Sequence, residues 1–576
     1  MKHTVNTRFA KSAYGYFLVW GICTSLAITV CTIVDALLVG NLVGSNGLAV
    51  CNISTPVFLV YALLGVTLGV GANIHIGHML GASNVEEANR IFRKLLTMTL
   101  VIGGVCLLPL TFRKAFLGFL GAGGALYPLA ERYLTVVLWS APLFVAYHVL
   151  SASVRTDSDP GLAAAASAVV IVTNLTLDVF FMKVLNWGIL GASTSLCIAE
   201  GLGVAVLLTH FLKKRSLLKL RLELPGWTDI RSFVVNGFGV GSANFFQAVV
   251  MLVFNTLLLR FGGENGALHV AIYGVIYTIS MVPFAFFDGA STALATVTSF
   301  FLGESDVPGI YTVLKRALTA AVLFGVVIAG MVAVSAQELV RFFGITDLAA
   351  TQMAAGALRL FCLSIVFTGI NMVVTAFWQA IGRAKQAGVL SVLRNFLMML
   401  IAGLAMISAF GLNGLSMSYL TVELATGLVI LGVLCFAPSG KYLKGKCPAT
   451  GRTFNNNYII RAESMERISA DLEALCDAWE IGMKQAFFIN FICEELLLNI
   501  IKFGQKDAKK EYYIDIKLME RDGDYVLRIR DNVRQYNPFE SSGDEIDAGV
   551  LKLIQKKSKF CDYQRKMVFN YLYVIL

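Results

Sequence analysis

Along the first 440 positions, apolar runs alternate with short polar connections. The runs fall near 13–39, 48–78, 95–112, 131–153, 161–182, 189–212, 234–261, 267–299, 316–335, 356–381, 384–409 and 415–437. At ~1.5 Å per helical residue, runs of roughly 20 residues are long enough to cross a bilayer. The pattern predicts an all-α polytopic membrane protein with twelve transmembrane helices. Past residue 440 it changes. PSGKYLKGKCPATGRTFNNN (438–457) is polar, and 441–457 is read as a linker. In 458–576, ERISADLEALCDAWEI and KQAFFINFICEELLLNIIKFG have helical spacing. YYIDIKLMERDGDYVLRIRD alternates as two strands with a turn around Arg521–Asp524. A small cytoplasmic α/β sandwich domain is expected there, near the minimum size for its own core.

The apolar region repeats. GASNVEEANRIFRKLL (81–96) matches GESDVPGIYTVLKRAL (303–318), and WGILGASTS (187–195) matches FGLNGLSMS (410–418), at offsets of 222 and 223 residues. One six-helix unit therefore occurs twice, as 1–225 and 226–440. An even number of spans gives both bundles the same orientation, related by an axis along the membrane normal. KKRSLLKLRLELPGW (213–227) links them, and substrate is expected in the cleft between them.

Composition and charge add direction. The chain is 57% apolar and only 15% charged, against about 25% charged in soluble proteins, and its mean hydropathy is +0.71. Lys and Arg concentrate in alternate connections. One set holds Arg90, Arg93, Lys94, Arg155, the 213–231 cluster, Lys315, Arg316, Arg383, Lys385 and Arg394; the other is sparse. The rule that cytoplasmic loops carry the positive charge places the rich set and both termini inside the cell. The net charge of +10 is thus accounted for without nucleic acid, and the plasma membrane is the expected location. The first run is too long, and too polar in its flanks, for a cleaved signal peptide. The eleven cysteines show no metal-binding spacing and read as small apolar residues in a reducing setting.

Acids inside these runs carry the chemistry, because an ionised side chain at bilayer depth costs at least ~2.5 kcal/mol. The candidates are Asp35, Asp178, Glu200, Asp288 and Glu423. Glu200 aligns with Glu423 across the repeat, so a shared structural role or a place in the cleft fits both. Asp35 aligns with Leu257 and Asp178 with Ile401, so these two acids are not required by the shared architecture. Both sit near the outer ends of their helices, and Asn174 lies one turn below Asp178 on the same face. Two carboxylates and an amide converging at low dielectric take up a proton, or a small hard cation such as Na⁺. The alternative is a polar patch that pins the first helix to the fifth. Asp288, in FFDGAST, is a substrate contact or part of a helix-bending pair lining the cleft. His75 and His78 read as membrane-end residues or a proton relay.

VDALLVGNLVGSNGLA (34–49), GASNVEEANR, VRTDSDP (154–160), TNLTLDVFFMKVLNWGILGAS (173–193) and FWQAIGRAKQAGVLSVLR (377–394) resemble the multidrug and toxic compound extrusion (MATE) family over roughly residues 8–440. Ser158 stands where that family often has Gly. The resemblance implies two six-helix lobes, alternating access, and export of organic compounds in exchange for H⁺ or Na⁺, with no catalytic residue and no cofactor. It implies that Asp35, Asn174 and Asp178 form the cation site. A small-molecule substrate and membrane lipid are then the partners. A lipid-linked saccharide flippase of the same superfamily would want a more basic cleft than this sequence supplies.

The tail resembles the nucleotide-binding domain of histidine kinases and anti-sigma-factor kinases, through FICEELLLNIIKFG (491–504), IRDNVRQYNP (529–538) and DAGVLKLI (547–554). That resemblance implies Asn499 on Mg²⁺, Glu495 as activating acid, Asp531 reading the adenine of ATP, and Gly549 near the phosphates. The sequence departs from the pattern at Val533 and Asp547, where glycines let backbone N–H groups approach a nucleotide. A degenerate module that regulates transport or docks a cytoplasmic regulatory protein is the expectation, against a membrane-anchored ATP-binding sensor or kinase.

Overall fold

The computed structural model describes residues 7–43, 45–120, 122, 126–213, 215–345, 347–436, 438–446, 452–461, 464–501, 511–521, 523–533, 554–567 and 569–576. The chain forms two compact units. The larger is Ala10–Tyr442; the smaller is built from Leu443–Leu576 with the chain's first residues up to Phe9.

Long apolar helices make up the larger unit. Ten of the described helical stretches are long and apolar enough to cross a membrane, or up to eleven if the bent pair Tyr127–Trp139 and Ala141–Thr156 counts as one span. The twelve expected runs map onto these with two differences. The run expected over 131–153 bends by 45°, where Pro142 opens the second helix and supplies no backbone donor. The runs at 384–409 and 415–437 are read as one helical stretch, Ala384–Phe436. The reversal between them is so tight that a single residue, Gly411 at φ 55° and ψ −129°, interrupts the helical backbone.

The repeat is visible in the backbone. Gly188 has φ 55° and ψ −133°, matching Gly411, its partner 223 residues on. Ser83 and Ser305 both take the left-handed conformation, with φ 58° and 54°. Each precedes a capping residue, Asn84 or Asp306, whose side chain accepts a hydrogen bond from the backbone N–H three residues later.

Ser45–Gly81 packs against Ala141–Thr156 within the first copy and against Trp227–Gly241 and Gly266–Gly303 of the second. Glycine permits the closeness. A Cβ on Gly237 would fall 1.8 Å from the Thr67 carbonyl oxygen, and one on Gly71 would fall 1.9 Å from that of Phe233. The contact is also reciprocal: a Cβ on Gly81 would fall 1.9 Å from the Phe300 carbonyl oxygen and one on Gly303 would fall 2.0 Å from that of His78. Gly81 and Gly303 are repeat partners, as are His78 and Phe300. His75, which the sequence left open, accepts or donates across the same seam, 3.0 Å from Ser232 Oγ and 2.6 Å from Asn236 Nδ2.

In the smaller unit, a five-stranded antiparallel sheet runs in the order β1-β2-β3-β5-β4. The strands are β1 Thr453–Ile459, β2 Tyr513–Arg521, β3 Asp524–Asp531, β4 Phe560–Lys566 and β5 Phe569–Ile575. The expected β2–β3 turn is present, with Gly523 at φ 86°. Part of the stretch read as linker is strand β1, whose Phe454 and Tyr458 are buried. Ile514, Ile516 and Leu518 alternate on one face and share a core with Ile468, Leu472, Ile489, Ile492 and Leu496 of the helices Ser464–Ala478 and Met483–Asn499. The intervening residues are also buried, because charges pair there. Asp515 accepts from Arg528 and Arg530 at 2.6 and 2.7 Å. The Arg530 guanidinium lies 4.9 Å from the Phe9 ring, which is edge-on to Tyr513 and Phe569.

The seam yields a prediction. Gly237→Val, which forces a side chain into the Thr67 carbonyl, is expected to cost about 1–3 kcal/mol or more and to lower the melting temperature of the purified protein. Gly274→Val, with nothing within 4 Å of its Cβ position, is the matched control. Equal melting temperatures would contradict the close approach.

Candidate cation site

Asp159 and Pro160 start the helix Pro160–Val179: the Asp159 carboxylate accepts from the Leu162 N–H, and Pro160 takes a first-turn position that needs no donor. Fifteen and nineteen residues after Asp159 on that helix, Asn174 and Asp178 lie one turn apart and are almost wholly buried, at 1% and 0% exposure. Asn174 Nδ2 donates to Asp178 Oδ2 at 2.8 Å. The other carboxylate oxygen accepts from the Ser195 hydroxyl of Ile189–Leu208. Asp35, on Arg8–Leu42, lies within side-chain interaction range of both Asp178 and Asn174. The three residues expected from sequence therefore meet. Ser195 was missed; its only signal was its position in GASTS, one turn into the next helix. Directly after Asp178 the backbone widens into a π-helical turn, Phe180–Val184, closed by the bond from Leu185 N–H to the Phe180 carbonyl at 3.0 Å. Such turns commonly mark functional positions.

Among the described residues, no basic side chain pairs with this cluster. Asn174 Oδ1 is buried with no hydrogen-bond partner among the described residues. Two carboxyl groups, this amide oxygen and a hydroxyl make an all-oxygen set, which suits a proton or a hard cation. Tyr133 and Cys51 lie within electrostatic range of Asp35 and Asp178, and Cys31 is one turn below Asp35.

The other predicted acids lie elsewhere. Glu423 is buried in an ion pair. Arg394 grips both of its oxygens, at 2.6 and 3.0 Å, and Asn371 Nδ2 adds a bond at 2.7 Å. The sequence reading counted Arg394 among the cytoplasmic loop charges; it is instead buried within a π-helical turn, Leu393–Leu397. Glu200 is 8% exposed and makes no such pair among the described residues. Asp288 is exposed and accepts from Ser25 Oγ of the first helix at 2.7 Å. In the tail, Asn499 donates to the Glu495 carbonyl of its own helix at 2.8 Å. Asp531 accepts from the Val533 N–H at 3.0 Å and from Asn570 Nδ2 at 2.8 Å. Burial pushes the Asp531 carboxyl up to about 7. Gly549 and Asp547 lie outside the described residues.

VRTDSDP has a different task. Asp157 meets His210 at 2.7 Å and takes the Leu217 N–H at 3.1 Å. Asp159 meets Lys213 at 2.8 Å and Arg215 at 2.9 Å. These bonds tie down the basic link. Burial raises the Asp159 carboxyl, but His210, Lys213 and Arg215 outweigh it and hold the group well below the usual carboxylate range. Ser158, the departure from Gly, takes φ 68°.

Long apolar helices, duplicated and holding a buried acidic cluster, define a membrane transporter. The sequence profile of the MatE family matches residues 22–180 and 241–404, more than half of the chain. The chain belongs to the MatE family, the multidrug and toxic compound extrusion transporters. It is 23% identical over 408 residues to the multidrug export protein MepA of Staphylococcus saprophyticus, covering 71% of this chain and 89% of that one. To MepA of Staphylococcus aureus strain NCTC 8325 it is 22% identical, covering 68% and 86%. Among solved structures, a MATE protein bound to MaL6 superposes with a TM-score of 0.70 at 22% identity, over 77% of this chain and 100% of that one. An outward-facing MATE-family transporter of the MOP superfamily gives 0.69 at 22% identity, with the same coverages of 77% and 100%. The family match ends at residue 404, short of the tail.

Two predictions follow from these charges. Arg394→Met, which strands Glu423, is expected to cost about 3–5 kcal/mol, with most of it regained in Arg394→Met/Glu423→Gln; thermal unfolding of the three proteins checks this, and additive losses would refute it. Asp159, depressed in the folded state, contributes stability that is present above the unfolded carboxylate value of about 4 and lost as pH falls below it. The wild-type melting temperature should therefore drop more steeply below pH 4 than that of Asp159→Asn, and parallel curves would contradict the anchor.

Proposed function

We propose that this protein exports amphipathic or cationic organic compounds from the cell in exchange for H⁺ or Na⁺, by alternating access. The observation that carries the reading is the buried meeting of Asp35, Asn174, Asp178 and Ser195, with an unpartnered amide oxygen beside two carboxyl groups. Like charges this close at low dielectric need a cation between them. The cation entering from outside and the organic substrate leaving would then compete for one state of the first lobe. The relatives in Staphylococcus are multidrug export proteins, which supports the substrate class.

We read the membrane unit as twelve spans in two six-helix lobes, counting the bent pair as one span and Ala384–Phe436 as two separated at Gly411. Both termini are cytoplasmic and the membrane is the plasma membrane. On that orientation, the glycine seam around His75, His78 and Gly81 closes the cytoplasmic side. The tail is a regulatory module rather than an ATPase. In support, Asp531 spends an oxygen on Val533 and Asn570, and a buried Val533 occupies the place where a nucleotide site uses Gly.

The test uses the full chain, purified and placed in liposomes without ATP. An imposed pH gradient, or separately a Na⁺ gradient, is expected to drive movement of a fluorescent cationic dye. Asp35→Asn and Asp178→Asn should each reduce that movement at least tenfold while the protein still inserts. Wild-type transport by both variants would sink the reading.

A further inference from the structure

Repeat partners in this protein share backbone but not always the groups that neutralise a buried charge, and Glu200 is where that difference is sharpest. Its partner Glu423 is fully neutralised by Arg394 and Asn371. In the first copy, the positions matching Arg394 and Asn371 are Ile171 and His148. Neither makes an ion pair or hydrogen bond with Glu200 among the described residues. Glu200 is 8% exposed, and its Oε2 is buried without a hydrogen-bond partner. An ionised carboxylate left so would be among the costliest groups in the lobe.

Its neighbours connect it to the cation site. Ser195, which holds Asp178, is five residues back along the same helix, an axial rise of about 7.5 Å. Cys31, one turn below Asp35, lies within electrostatic range of Asp35, Asp178 and Glu200 together. Cys31 from the first helix, Tyr147 from Ala141–Thr156 and Cys197 from its own helix lie within electrostatic range of Glu200; Ala141–Thr156 also carries His148 and Arg155, neither of which bonds to Glu200 among the described residues. None of the three in range is a cation, and the Tyr147 hydroxyl is engaged with Ser167 at 2.8 Å. The surroundings offer thiols and one occupied phenol, not the six or so oxygens that a hard metal ion takes. A proton needs only one.

We propose that Glu200 is a third coupling acid of the first lobe, a proton-only station that takes up and gives back one proton per transport cycle, distinct from the Asp35–Asp178 site. This rests on the cation-coupled reading above. It adds a residue, a chemical selectivity and a count: one proton beyond whatever the aspartate pair exchanges.

The experiment measures the coupling ratio. Full-length protein in liposomes, with the membrane voltage clamped at zero by K⁺ and valinomycin, is brought to static head at a series of imposed pH gradients. The slope of the logarithm of the dye ratio against the pH difference gives protons exchanged per dye. Glu200→Gln, which fixes the neutral form at nearly constant volume, is expected to lower that slope by one while transport continues. An unchanged slope overturns the proposal and leaves the coupled-export reading intact. So does wild-type transport driven by Na⁺ with no dependence on the pH gradient. Wild-type protein driven by neither gradient overturns the coupled-export reading itself. Should Glu200→Gln fail to fold, wild-type protein treated with a hydrophobic carbodiimide provides a second readout. Mass spectrometry should find an adduct on Glu200, suppressed by saturating dye, and none on the ion-paired Glu423. No adduct on Glu200, or one that dye leaves unchanged, overturns the proposal.

Discussion

Taking a carboxylate out of water into a bilayer is the constraint on which this architecture turns. The chain meets it in three ways. Glu423 is covered by a fixed cation, Arg394, and an amide. Asp288 stays exposed and bonds to Ser25. Asp178 is given hydrogen-bond donors, with Asp35 beside it, and neither acid is ion-paired among the described residues. Of these three, the last leaves a role for an ion that comes and goes, as does the buried Glu200. A fixed ion pair rigidifies its lobe; a pair of acids waiting for a cation makes the lobe's preferred shape depend on what is bound.

Duplication explains how both solutions occur in one fold. The two copies keep the same backbone devices: the reversals at Gly188 and Gly411, the left-handed serines Ser83 and Ser305, and the capping residues after them. The seam between copies is reciprocal, Gly81 against Phe300 and Gly303 against His78. Backbone glycine contacts of this kind bring helices close without side chains that would interlock, which suits surfaces that must part. Chemistry then differs on a shared scaffold. Ile401 stands where the first copy has Asp178, and Ile171 where the second has Arg394.

Much of this was legible in the sequence because the bilayer writes long apolar runs and the repeat writes matching loops. Asn174 and Asp178 were readable as one helical face, since four-residue spacing is local. Ser195 was not, because a serine among apolar residues is indistinguishable from a packing residue until its helix is placed. Arg394 was misplaced for the opposite reason. Its neighbours Arg383 and Lys385 flank a connection, and sequence alone cannot show that the chain has by then entered the membrane with Glu423 waiting. The runs expected at 384–409 and 415–437 lie in one helical stretch interrupted at Gly411, since a break of one glycine leaves no polar gap to read. In the tail, the strand pair β2–β3 was visible from alternation, whereas β1 was hidden in Asn-rich sequence that pairs through its backbone.

The most direct test of the cation site needs no membrane. Purified protein in weakly buffered detergent solution is titrated with the organic cation while free protons, and in parallel free Na⁺, are recorded. The account predicts that dye binding to the wild type releases one of the two ions in proportion to the dye bound, and that Asp178→Asn binds dye with that release abolished or reduced by at least one ion per dye. Dye binding with no ion release from the wild type, or the same release from the variant, would contradict it.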